Sequence, residues 1–393
     1  LYARKEIPFY AERLVGYTRL DALPFTTRED IKRNFPMRWI PAGKRISDFE
    51  GLMLVRSSGT TSERISFVRH LPSFQRRELS SYALNAGLAE IVEAGAYKDA
   101  LLANQVCSGS ECQIDSPLAL SLEQRTTQDG RLSLLTPNDP FDFGPALLQR
   151  ATEDLKAFQP DFVLGNPAYV TALARHLRRT GTSLPTLRII LSNFELLQTN
   201  QRRYIEATFG GRVYDSYGMS EAGTVAVECS FGNLHINEEW YVLESIPTNG
   251  RDTGTLVLTI LDPQVCPLIR YATRDVGTIH RQVCDCTGLA SPILTVHGRE
   301  DELFTGVSGK CHTPRDLDRC LSAFPCILYF KLFVLPAGQF RLEIVLDDDA
   351  NGLLDSKVKE SLIDLTGPEL EVARVSRLTV EASGKIKLVQ ALR

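Results

Sequence analysis

Four soft donors stand out along the chain. Cys229 and His235 are separated by five residues, and Cys284-Asp285-Cys286 follows further on. Three thiolates and one imidazole make a closed tetrahedral set for zinc, and four protein ligands leave no position for a substrate, so such a metal would be structural. Taken singly, a C-x-C pair and a C-x5-H spacing are weak, and unrelated buried or surface thiols are the competing reading. A second group is rich in hydroxyls. Val55-Arg56-Ser57-Ser58-Gly59-Thr60-Thr61-Ser62 sets five hydroxyls around one glycine, between the apolar run Leu52-Met53-Leu54-Val55 and Ile65-Ser66-Phe67-Val68. Glycine lets the backbone approach an anion, while hydroxyls and amide N–H groups donate to it, so the segment suits phosphate. The G-x-x-x-x-G-K-[ST] spacing is absent, which argues against a P-loop phosphotransferase. A surface hairpin is the plain alternative. A third group is Asp215-Ser216-Tyr217-Gly218-Met219-Ser220-Glu221-Ala222-Gly223. Its aromatic ring could pack on a base and its carboxylate could hold Mg²⁺ beside phosphates. An ordinary strand-to-loop turn would look the same.

The elements that must position these groups alternate between helix and strand. Residues 72–93 carry a helical period, as does the pattern after Asn166-Pro167-Ala168-Tyr169, which is basic toward its end. Leu187-Arg188-Ile189-Ile190-Leu191 reads as a short buried strand. Residues 199–209 read as a helix ended by Gly210-Gly211, and Val213-Tyr214 begins another strand. This rhythm predicts an α/β domain with a largely parallel sheet, and a glycine-flanked carboxylate beyond a strand end lies where such sheets place ligands. After about Gly254 the rhythm changes. Residues 255–260 and 330–334 read as strands, 340–346 alternate with period two, and 356–365 read as helix. A boundary near Gly298-Arg299-Glu300-Asp301 divides the chain into 1–300 and a small α+β part, 301–393.

The chain has 393 residues, of which 43% are hydrophobic and 23% charged, a globular balance that excludes a mainly disordered or collagen-like chain. A net charge of -4 argues against broad nucleic-acid binding, and no apolar run is long enough to span a membrane. The chain opens on Leu1-Tyr2-Ala3 without an initiator Met, so a few residues are expected to be missing, and no apolar signal core follows. Nine unevenly spaced cysteines do not form a secreted disulfide framework. Cytoplasmic location is the expectation, with Cys107, Cys112, Cys266, Cys311, Cys320 and Cys326 as ordinary small apolar residues.

The loops, their order and their separation resemble the adenylate-forming (acyl-CoA synthetase-like) ligases, and within them the phenylacetate–CoA ligase branch. Ser57-Ser58-Gly59-Thr60-Thr61 matches the hallmark S-S-G-T-T-G-x-P before departing at Ser62-Glu63-Arg64. Tyr217, Gly218, Ser220 and Glu221 match Y-G-x-S-E, and Leu234-His235-Ile236-Asn237-Glu238 resembles L-H-I-x-E. Residues 269–275 match I-R-Y-x-T-R-D, Gly298-Arg299-Glu300-Asp301 matches the hinge motif G-R-x-D, and Ala382-Ser383-Gly384-Lys385 is similar to the late S-x-G-K. Leu23-Pro24-Phe25-Thr26-Thr27-Arg28-Glu29-Asp30 looks like the branch's entry L-P-F-T-T-K-E-D.

The resemblance implies a large multi-sheet α/β N-terminal domain and a small α+β lid. It also implies ATP-dependent activation of a carboxylic acid to an acyl-adenylate, followed by transfer to CoA. Ser57, Ser58, Gly59, Thr60 and Thr61 would cradle the ATP phosphates, and Glu221 would bind Mg²⁺. Tyr217, Gly218, Ser220 and the segment Asn193-Phe194-Glu195 would form or border the nucleotide site. Asp275 would accept from the ribose hydroxyls with Arg299 nearby, Asp301 would be the hinge, and Lys385 would move in to stabilise charge at the α-phosphate. For Asp275 an ion pair with Arg270 or Arg274 is the rival reading, and for Lys385 a solvated tail lysine. Members of the branch also carry C…L-H-I…C-x-C at the places of Cys229, His235, Cys284 and Cys286, which favours structural zinc.

The branch points to an aromatic acid, with Asn104, Gln105 and Gly218 as pocket residues. Asn104 and Gln105 would suit amino or hydroxyl substituents on a ring, and such a substrate fits specialised metabolism as well as catabolism. Glu63 would repel phosphates if it pointed inward, so the departure at Ser62-Glu63-Arg64 predicts weaker ATP binding or altered loop motion rather than lost activity. The partners expected are ATP, CoA and the acid, without nucleic acid or membrane, and a homodimer or a carrier protein stays open. An amine or a carrier-protein thiol could replace CoA as acceptor. A non-catalytic zinc-stabilised binding protein on the same fold is the reading from another class.

Overall fold

The computed structural model describes residues 2–56, 65–104, 120–184, 187–247, 253–261, 265–288, 290–347 and 354–392. The expected phosphate loop (Ser57, Ser58, Gly59, Thr60 and Thr61, with Ser62-Glu63-Arg64) therefore lies outside the described residues, as do Gln105, Cys107 and Cys112. The chain forms two compact bodies, one from Leu1–Glu93 with Ser216–Val296 and one from Ala94–Asp215 with His297–Arg393. Among the described residues no helix is long and apolar enough to cross a membrane.

The first body is built on antiparallel pairs. Leu52–Arg56 pairs with Ser66–His70, which brings Arg56 opposite Ser66 at the two ends of the hydroxyl-rich loop. Tyr241–Pro247, Gly254–Ile260 and Tyr271–Val283 are successive antiparallel neighbours. Gly223–Glu228 pairs with Leu234–Ile236 on one side and with the end of Arg212–Met219 on the other. Tyr217, Val225, Leu234, Tyr241, Leu256 and Leu294 close the core of this sheet. A second core gathers the N-terminal helices around Tyr10, Ile31 and Trp39, with Phe9 stacked on Trp39 at 4.4 Å between centroids. Cys266 is buried in it, and burial pushes its thiol up to about 12, as befits an ordinary core cysteine.

The long helical period over 72–93 resolves into two helices, Leu71–Tyr82 and Ala86–Glu93. Asn85 sits between them, fully buried. Its amide donates to the Glu228 carbonyl at 2.8 Å and its Oδ1 accepts from Leu88 N at 3.1 Å. The side chain caps the second helix and so breaks the first. The buried face of Leu71–Tyr82 is polar, carrying Ser73, Arg77 and Ser81 at four-residue spacing.

The second body holds the parallel sheet that the alternating rhythm predicts. Arg131–Ser133, Asp99–Leu102, Phe162–Gly165, Ile189–Ser192 and the start of Arg212–Met219 pair in that order, all parallel. Pro167–Thr180 begins where Asn166 accepts from Ala168 N at 2.8 Å and ends at Gly181, whose φ of 62° suits a glycine cap. Its apolar stripe, Val170, Leu173, Ala174 and Leu177, is buried. Thr199–Phe209 starts on Asp318, which accepts from Thr199 N at 2.9 Å and Thr199 Oγ1 at 2.8 Å. From this helix buried Asn200 donates to the carbonyls of Leu321, Phe324 and Ile327. The C-terminal segment adds a four-stranded sheet in the order Glu371–Arg374, Phe340–Leu346, Ile327–Val334, Val389–Ala391. One continuous apolar core joins residues 100–213 to residues 304–389.

Candidate functional site

The tyrosine–glutamate motif is a hairpin rather than a turn after a short strand. Arg212–Met219 continues through Tyr217 and Gly218, and Gly223–Glu228 returns antiparallel to it, with an irregular register between Tyr217 and Gly218. Gly218 has a steric cause. A Cβ there would lie 2.6 Å from the Gly223 carbonyl oxygen, so the two strands could not approach. Tyr217 is buried and its hydroxyl donates to Asp275 Oδ2 at 2.9 Å. Burial, reinforced by the Asp275 charge, raises the phenol well above its ordinary value, so it stays a donor at physiological pH. Arg270, one of two arginines that could have claimed Asp275, instead forks onto Glu244 with two 3.0 Å bonds. Glu221 sits at the hairpin tip and accepts from Tyr271 Oη at 3.1 Å. The hairpin and strand Tyr271–Val283 thus bring together a buried phenol and two carboxylates within the first body.

What holds this tip was not legible as a motif. Glu78, from helix Leu71–Tyr82, accepts from Thr224 N at 2.5 Å and Thr224 Oγ1 at 3.0 Å. Arg69 donates to the Ser220 carbonyl at 2.5 Å while its guanidinium lies 3.8 Å from the centre of the Phe74 ring. Burial pushes that guanidinium down to about 10.

In the second body, Lys385 lies in a tight turn in which Gly384 N donates to the Glu381 carbonyl and Glu381 N to the Lys385 carbonyl. Buried Asn104, expected as a substrate contact, donates from its amide to the Ser383 carbonyl at 2.7 Å and to Asn138. Glu195 follows strand Ile189–Ser192 and accepts from Ile386 N at 3.2 Å. Burial pushes its carboxyl up to about 7, against the opposing pull of the Lys385 charge, Asn166 and the Ile386 N–H. Asp301 is ion-paired with Lys387 at 2.5 Å. Burial works to raise its carboxyl, but Lys387 outweighs that and holds it below the usual range. Its neighbour Glu302 is buried, accepts from Leu388 N at 2.7 Å and is pushed up to about 7, chiefly by burial. Arg299 supplies positive charge to Asp301, Glu302 and Glu381.

The four soft donors converge in the first body. The ligand atoms of Cys229, His235, Cys284 and Cys286 all lie within 4.8 Å of one another. Cys229 and Cys284 sulfurs are 3.8 Å apart, Cys284 and Cys286 3.1 Å, and Cys286 Sγ is 3.2 Å from His235 Nε2. A tetrahedron with Zn–S bonds of about 2.3 Å has S···S edges of about 3.8 Å, so this set fits a zinc ion with little adjustment. Ser291 Oγ meets His235 Nδ1 at 2.8 Å and orients the ring with Nε2 toward the sulfurs.

No family model matches the chain. It is 26% identical over 326 residues to a phenylacetate–coenzyme A ligase of Pseudomonas putida, covering 76% of this chain and 69% of the relative. It is 23% identical over 360 residues to the phenylacetate–coenzyme A ligase of Thermus thermophilus, covering 86% and 76%. A solved 2-hydroxyisobutyryl-CoA ligase bound to an acyl-AMP aligns over 100% of this chain and 87% of its own, with a TM-score of 0.73 at 16% identity. An anthranilate CoA ligase bound to anthranoyl-AMP aligns over 85% and 65%, with a TM-score of 0.61 at 14% identity. In motifs and in sequence the chain is thus similar to phenylacetate–coenzyme A ligases, and its fold is that of the solved CoA ligases.

Proposed function

We propose that the protein is an AMP-forming carboxylate–CoA ligase whose substrate is an aromatic acid. The observation that carries this reading is the hairpin constellation of Tyr217, Glu221 and Asp275, a buried phenol and two carboxylates held by the strands that bear the matching motifs. Activation needs positioning and charge stabilisation more than covalent chemistry. In this reading Asp275 accepts from ribose, Tyr217 fixes Asp275, and Glu221 would hold a Mg²⁺ ion that supplies positive charge to the phosphates. Lys385, carried by residues 301–393, stabilises charge developing at the α-phosphate. The aromatic preference rests on the likeness to phenylacetate–coenzyme A ligases over most of the chain. The test is ATP–pyrophosphate exchange over a panel of phenylacetate, benzoate, hydroxybenzoates, aminobenzoates and aliphatic acids, with and without CoA. Exchange with at least one aryl acid, and thioester only when CoA is added, is the expected result. Exchange with no carboxylic acid would overturn the activity, a preference for aliphatic acids would overturn the substrate class, and adenylate that CoA leaves intact would direct the search to amine or carrier-thiol acceptors.

The Cys229–His235–Cys284–Cys286 set would hold a structural zinc, tying strand Gly223–Glu228 and its return to the far end of Tyr271–Val283. Protein purified without chelator is expected to carry about one zinc per chain, and Cys286→Ser to lose it together with part of its thermal stability. Metal-free wild-type protein with an unchanged melting temperature would remove zinc from the account.

A further inference from the structure

The turn that carries Lys385 is held by contacts to side chains of the parallel-sheet region that no motif predicts. Asn104 donates to the Ser383 carbonyl at 2.7 Å, and Asn138 donates to the Ala382 carbonyl at 3.1 Å. The two asparagines are themselves joined, Asn104 Nδ2 donating to Asn138 Oδ1 at 2.5 Å. On the far side of the lysine, Glu195 accepts from Ile386 N at 3.2 Å. Backbone groups on both sides of Lys385 are therefore captured. The fit is close, because Gly384 approaches Asn138 and Asn104 so tightly that a Cβ would overlap both. Asn104 and Ser383 are 3% and 2% exposed, so the bond between them is shielded from competing water, whereas the Asn138–Ala382 bond is exposed.

We infer that Asn104, Asn138 and Glu195 form a seat for the Ser383–Lys385 turn and act as positioning residues that aim Lys385. The inference rests on the proposed adenylation role of Lys385. Asn104 then serves the lysine through the backbone of its turn, not a ring substituent of the acid. Glu195 contributes an acceptor for the backbone N–H of Ile386, the residue that follows Lys385.

The experiment compares Glu195→Ala, Glu195→Gln and Asn104→Asp with wild type on the full chain. Amide exchange of the peptide spanning 381–388 reads the seat without any substrate. It should quicken by about 10- to 100-fold in Glu195→Ala and Asn104→Asp, the cost of losing a shielded bond or of facing a carbonyl with a carboxylate. Glu195→Gln keeps an accepting oxygen and should stay within about threefold of wild type. In ATP–pyrophosphate exchange the first two variants should lose kcat by about 10- to 100-fold with the KM for ATP unchanged. Unchanged amide exchange in both would overturn the seat. A raised KM for ATP with kcat kept would make Glu195 a nucleotide contact and overturn its positioning role. If wild type exchanges pyrophosphate with no acid, the proposed function fails while the amide-exchange result still decides the seat. Should Glu195→Ala not fold, Asn104→Asp carries the same two readouts.

Discussion

Replacing Lys385 by alanine should lower adenylate formation by about 100- to 1,000-fold while nucleotide affinity changes only a few fold. The reasoning is that a cation delivered to a developing phosphate charge acts in the transition state and scarcely in the ground state. The surroundings of the lysine weigh against the rival reading of a solvated tail residue. It follows a glycine turn whose neighbouring carbonyl and N–H groups are bound by Asn104 and Glu195. Its removal has a secondary effect whose sign is clear. The Lys385 charge pulls the Glu195 carboxyl down against burial, so without it that carboxyl rises further above about 7 and is more protonated at neutral pH. A protonated Glu195 still offers an oxygen to Ile386 N, so the turn should stay in place. Single-turnover adenylation with mass-detected acyl-AMP measures the loss, and equilibrium ATP binding measures what remains. Thioester formation from supplied acyl-adenylate should persist. Adenylation within about threefold of wild type would reduce Lys385 to the solvated tail lysine of the rival reading.

The legibility of this protein in its sequence follows the physics of its elements. The parallel strands and the helix Pro167–Thr180 announced themselves because their buried faces are apolar and periodic. Helix Leu71–Tyr82 was harder to bound, since its inner face is Ser73, Arg77 and Ser81, and the break after it depends on one buried asparagine. The zinc-type cluster could be suspected from residue type alone, and folding brings together groups more than fifty positions apart by pairing Leu234–Ile236 with Ala290–Arg299. Supporting residues left no trace of that kind. Glu78, Asn138 and Ser291 are polar residues in unremarkable surroundings, and their roles come from which backbone group each happens to face. Asn104 carries a contact of the same hidden kind. Its place in the chain suggests a ligand contact, and in the folded protein its amide nitrogen donates to the Ser383 carbonyl, a bond that no motif announces.

Gly384→Ala should be the most damaging single methyl in the second body. Two costs are superimposed there and can be separated. The backbone cost is that φ is +78°, the left-handed region, where a non-glycine residue loses about 1–2 kcal/mol. The contact cost is that the new Cβ would stand 1.9 Å from the Asn138 carbonyl oxygen and 2.4 Å from Asn104 Nδ2. The first of these is a main-chain atom and cannot swing aside, so the turn must leave its seat, and the bonds from Asn104, Asn138 and Glu195 go with it. Gly309 supplies the control within the same body. Its φ is +76° and nothing lies within 4 Å of a Cβ built on it, so Gly309→Ala bears the backbone cost alone. Gly309→Ala should therefore lose about 1–2 kcal/mol of stability and keep adenylation within about twofold. Gly384→Ala should keep the fold, since the core spanning residues 100–213 and 304–389 is untouched, yet lose adenylation by about 100-fold and expose the 381–388 amides to exchange. If the two variants matched in both activity and exchange, the close approach to Asn138 would have no functional weight, and Lys385 would reach its place without being seated.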